Sequence, residues 1–124
     1  MNIENVVDFL AANGVGVKGK TLFGRSLPAS AKSAVLVIAN SRINRHPYQK
    51  GRRDGTFQVI VRGITYSEIE SKAESIMTLL DGEGITMGSD HFLSIYPQHE
   101  PMIYPRSEGG LLEASVNYNI IYVN

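Results

Sequence analysis

Residues 14–21 read GVGVKGKT, and the fold turns on how they are read. They satisfy G-x-x-x-x-G-K-[ST], the loop that wraps nucleotide phosphates, and the first six satisfy G-x-G-x-x-G. Both fingerprints need a strand entering the glycines and a helix leaving them. The helix N-terminus supplies the free N–H groups and partial positive charge that hold the phosphate. That order belongs to a parallel α/β sheet. Here it is reversed. Upstream, Ile3, Val6, Val7 and Leu10 recur at i, i+3, i+4 and i+7, which predicts a helix over residues 3–13 with Asn2 as N-cap and Gly14 as its stop. Downstream, TLFGRSLP meets Gly24 and Pro28, which leaves little room for a helix and suits a strand over 20–24. A magnesium-holding acid at the end of a buried strand is also missing, since AVLVIAN ends in Asn40. No acid stands near position 39 for a ribose. Gly14–Thr21 therefore reads as a helix stop and the entry to a strand, with nucleotide binding kept as an alternative.

Working outward, AVLVIA (34–39) is continuously apolar and predicts a central strand buried on both faces. Residues 40–55 lack apolar periodicity and form a long basic loop or ribbon, functional or mobile. In TFQVIVR, Phe57, Val59 and Val61 alternate with Gln58, Ile60 and Arg62, which predicts a strand. The clearest helix is 66–81. Thr65 is its N-cap, Glu68 completes a capping box, and Ile64 with Ile69 makes a hydrophobic staple. Ile69, Ala73, Ile76, Met77 and Leu80 line one face, and Gly82 is the expected stop. HFLSIY (91–96) is a strand, PQHEPMIYPRSEGG an irregular or edge connection, and 113–123 a long alternating strand. The order predicts a single α+β domain over 1–124, with a mixed or mostly antiparallel sheet and two helices packed on one face.

Composition narrows the chemistry. The 124 residues suit one domain, and the absence of cysteine excludes disulfides and thiolate metal sites. His46, His91 and His99 form no close pair, so no metal site is expected. No apolar run is long enough to cross a bilayer, and no secretion signal is visible, so a soluble intracellular protein is expected. Net charge is zero, but its parts are segregated. Residues 18–62 hold ten basic residues and one acid, Asp54, whereas 63–124 hold two basic residues and nine acids. If folding keeps them apart, the molecule has a basic and an acidic side, which suits head-to-tail association. Within the basic stretch, Arg42, Arg45, Lys50, Arg52 and Arg53 surround Tyr48. Such a set can bind nucleic acid, dock on an acidic neighbour, or simply be solvated. The acid pairs Glu68/Glu70 and Asp81/Glu83 are two apart and diverge. No catalytic constellation and no cofactor site is found, so no enzyme is expected.

The ordered set VVDFLAANGVG, TLFGRSLP, FQVIVRGITYSEIESKAESIMTLLDG and EASVNYNIIYVN covers most of the chain. It resembles the minor capsid or tail-terminator proteins of long-tailed bacteriophages. One departure is NSRINRHP (40–47), where relatives carry a Gly-rich turn. The resemblance implies a structural protein that forms a six-membered ring, caps the finished tail tube, ends its growth and offers the surface that joins the head. The implied partners are further copies of itself, the tail tube protein, a head completion or connector protein and, in passing, the DNA in the channel. No membrane partner, cofactor or enzymatic activity is implied. The implied place is the head-proximal end of the virion tail, with assembly in the host cytoplasm. Tyr48, Tyr96 and Tyr104 are reasonable interface anchors.

Overall fold

The alternating run around Phe57 is part of a longer strand. In the computed structural model, which describes residues 2–28, 31–39, 43–45, 47–49, 51–105 and 111–123, it extends from Arg52 to Gly63. In chain order the elements are α1 (Ile3–Ala12), β1 (Leu22–Gly24), β2 (Ala34–Ala39), β3 (Asn44–Arg45), β4 (Arg52–Gly63), α2 (Tyr66–Leu79), β5 (Gly82–Met87), β6 (Asp90–Pro97), β7 (Met102–Pro105) and β8 (Leu112–Val123). The main strand order is β1-β2-β4-β8-β6-β5, with β3 joined to β4 and β7 to β8. Among the described strands only the β1–β2 pairing is parallel, so the sheet is mixed and the α+β expectation holds. The spine is the twelve-residue antiparallel pairing of β4 with β8, from Arg52↔Val123 to Gly63↔Leu112.

Both helices cover one face. Val35, Val37, Phe57, Val59, Val61, Ala114, Val116 and Tyr118 share a core with Val6, Val7 and Leu10 of α1 and Ile69, Ala73 and Ile76 of α2. Fully burying side chains such as Leu10, Ile69 and Ile76 contributes about 1.5–3 kcal/mol each. Phe57 stacks on Tyr118 at 5.2 Å, and Phe92 meets Tyr122 at 5.6 Å. α2 packs on β4 and β8, whereas α1 touches β1 and β2 and also β5, the two ends of the strand order. The sheet therefore curls around α1. The Asn2 N–H and the Asn5 side-chain amide both donate to the buried Asp90 carboxylate, at 3.1 and 3.0 Å, fixing α1 to the β5–β6 hairpin.

The α2 start follows its capping signals. Thr65 Oγ1 accepts the Glu68 N–H at 3.2 Å, and the Glu68 carboxylate reaches back to the Ile64 N–H at 3.2 Å. Ile64 itself stays exposed, so the staple is one-sided. The helix ends at Leu79 rather than 81. Leu80 is its C-cap, and Gly82 is the first residue of β5 instead of a helix stop. That strand is absent from the sequence reading. Its partner is β6, across a two-residue turn at Gly88–Ser89. Gly88 has φ +60, and a Cβ there would strike Asn5.

Candidate functional site

Gly14–Thr21 has the geometry of a helix stop. Gly14 adopts φ +78; its N–H donates to the Ala11 carbonyl at 3.1 Å and the Val15 N–H to the Leu10 carbonyl at 3.0 Å. These two bonds form a Schellman cap, and the apolar contact that accompanies it is supplied by the buried Val15 and Leu10. The next turn closes on itself. Thr21 Oγ1 accepts the Val17 N–H at 2.9 Å, and Lys18 holds Glu4 and Asp8 at 2.8 and 3.0 Å. Lys20 is exposed and β1, not a helix, follows. The loop has no helix N-terminus to offer a phosphate, which removes the physical basis of the nucleotide alternative.

Of the six residues expected to form an assembly or DNA-channel surface, Arg42 and Lys50 lie outside the described residues. The other four belong to one β-ribbon. Arg45 on β3 is exposed and is the register partner of Arg53 on β4. Tyr48, in the turn between these strands, is 91% exposed. Arg52 is held by Asp54 at 3.2 Å and Gln49 at 3.0 Å, and Arg53 donates to the Arg52 carbonyl at 3.1 Å. Part of the expected loop is thus sheet. Pairing with both β3 and β8 extends β4 back to Arg52.

The charges are partly mixed inside the molecule. Arg62, near the end of β4, is buried and paired with Glu113 at 3.1 Å. Its Nη1 also donates to the Pro28 and Ala31 carbonyls, at 3.2 and 3.1 Å. The exposed remainder is segregated only in part, because the exposed Asp8 of α1 lies with Lys18 near the basic end. Lys20, Arg25, Lys32 and Arg45 stand beside β1, β2 and β3. Exposed Glu74, Asp81, Glu83 and Glu100 stand on α2, β5 and the β6–β7 turn, toward the other end of the strand order. Three of these acids border a groove of 310 Å³ lined by Glu74, Met77, Thr78, Asp81, Pro97 and Glu100. Nothing in the linear sequence links Glu74 with Glu100. The fold brings them together by laying α2 along β8, whose partner is β6.

The family described as bacteriophage tail terminator protein matches residues 9–124. The chain belongs to that family. No curated protein matches it. Among the solved structures, a chain of the virion of a native gene transfer agent particle superposes with a TM-score of 0.67 at 8% identity, covering 94% of this chain and 84% of that one. A second solved chain gives a TM-score of 0.50 at 15% identity, covering 94% and 88%. At these identities the two likenesses show a shared fold. Family membership makes the chain a structural component of a phage tail, as the quoted segments led one to expect.

Proposed function

We propose that the chain assembles as a six-membered ring on the head-proximal end of a phage tail tube. There it ends tube growth and presents the surface to which a head completion or connector protein joins, with assembly taking place in the host cytoplasm. The observation that carries this reading is the family match over 9–124. The distribution of exposed charge supports it. Closed rings need heterologous contacts, in which one face of each subunit complements a different face of the next. Cations beside β1–β3 and carboxylates along α2, β5 and the β6–β7 turn supply such a pair. DNA in the channel is a passing contact and no catalytic step is involved.

The test is to add purified chain to growing tail tubes and to measure tube length and end structure by electron microscopy. Shortened tubes with a ring of density at one end are expected. Unaltered length and bare ends at saturating protein would refute the reading. Free subunits can be monomeric in the same experiment if the tube end serves as the template.

A further inference from the structure

We infer that the groove between α2 and the β6–β7 turn receives the β3–β4 ribbon of a second copy of this chain, with Tyr48 as anchor and Arg45 and Arg53 facing Glu74, Asp81 and Glu100. The inference deepens the ring reading by naming the two halves of its contact.

Charge and shape select the occupant. Met77, Thr78 and Pro97 line the groove together with three carboxylates. Among the described residues no three acids or histidines converge closely enough to hold a metal ion. The negative charge is therefore spread along the groove, which suits an extended cationic segment better than a point charge. A nucleic acid strand is repelled by the same carboxylates. The ribbon has the complementary make-up: arginines on paired strands and a tyrosine almost wholly in solvent at the turn. Tyrosine and arginine are the residues that most often anchor interfaces.

A second observation points into the same groove. Tyr118 is fully buried, and its hydroxyl finds no hydrogen-bond partner among the described residues. It is the register partner of Pro97, which lines the groove, and the charge of Asp81, another lining residue, acts on it. A polar group thus lies in the core beside the strand that borders the groove, without an acceptor among the described residues.

The ribbon of the same molecule is poorly placed to fill the groove. Phe57 is level with Tyr118 and Arg53 is level with Tyr122. That separation of four residues is about 13 Å of strand, and Tyr48 lies further out. The contact is consequently intermolecular and heterologous.

Because the chain has no cysteine, disulfide trapping tests this directly. Tyr48→Cys and Thr78→Cys proteins are mixed under mild oxidation beside tube ends and resolved on a non-reducing gel. A mixed dimer is expected, and the chain carrying both substitutions should give a ladder that ends in a closed species. Raising salt from 0.1 to 1 M shrinks the screening length from about 10 to about 3 Å and should cut the yield by about tenfold. Ser67→Cys, at the other end of α2, replaces Thr78→Cys as the control and should trap little. If tubes are capped but Tyr48→Cys links no better to Thr78→Cys than to Ser67→Cys, the groove assignment is overturned and the ring reading stands. If the ladder forms and tubes stay uncapped, the assignment stands and the capping function is lost. Neither trapping nor capping overturns both.

Discussion

Glu113→Leu strands a guanidinium inside the protein. Arg62 donates Nε–H to a carboxylate oxygen of Glu113 at 3.1 Å, holds Nη2 at 3.1 Å from the same oxygen, and gives Nη1 to two carbonyls of the loop before β2. The two side chains are 7% and 14% exposed, so water replaces little of what is removed. One charge-assisted bond, contributing about 1.5–3 kcal/mol, is lost together with the Nη2 contact. Removal of one partner from a buried pair costs about 3–5 kcal/mol, which agrees. Against a domain stability of about 5–15 kcal/mol, this is a large fraction. It should lower Tm by about 12–20 °C at about 4 °C per kcal/mol for a chain of this size. The assay is urea unfolding followed by circular dichroism, for the wild type, Glu113→Leu, Arg62→Met and the double variant. The double variant should be less destabilised than the sum of the singles by about 2 kcal/mol or more, because it buries no lone charge. It will not recover fully, since the Pro28 and Ala31 carbonyls lose their donor. A loss below about 1 kcal/mol for Glu113→Leu, with an unchanged m-value, would show the pair to be solvated and refute the reasoning.

Three further outcomes follow from particular side chains. The Ser33 hydroxyl, at 2.6 Å, and then the Ile64 N–H hold the Glu68 carboxyl below its usual range. A lowered native pKa contributes stability that is present above the unfolded value and lost as pH falls through the native one, so Ser33→Ala should bring acid unfolding to higher pH in a titration from pH 6 to 2. Burial, reinforced by Asp81, pushes the Tyr118 phenol up. Its protonated form therefore favours the native state up to the ordinary tyrosine range, and this advantage fades as pH climbs through the raised value; Tyr118→Phe should withstand alkaline unfolding better and match or exceed wild-type stability at pH 7 by up to about 1 kcal/mol. Gly14→Ala forces a Cβ into the left-handed region and should cost about 1–2 kcal/mol in the same urea assay, although the space around it is open.

How much of this could be read from the sequence depends on how local each signal is. Both helix starts were legible because Asn2, Thr65 and Glu68 act within four residues of themselves. The β8 alternation was legible because one of its faces is dry over its whole length. β5 was not, since Gly82 and Gly84 weaken its propensity and only Met87 is buried. The Gly-Ser dipeptide at 88–89, a hairpin signal, would have announced it. The ribbon was half legible, because the pairing that makes β4 begin at Arg52 comes from β8, about 70 residues later. Arg62 looked like the solvent side of a strand, and its distant partner Glu113 decided otherwise. The acidic groove joins α2 with the β6–β7 turn and has no local signature at all.

The strap that α1 lays across the curled sheet has a consequence for biosynthesis. Asn2 and Asp90 are 88 positions apart. A ten-residue helix by itself is marginal in water, so α1 is not held at this end until the β5–β6 hairpin exists. At about 5–20 residues per second, it waits several seconds for its hairpin to be made. During that interval its apolar stripe is open to chaperones and to sister chains on the same messenger.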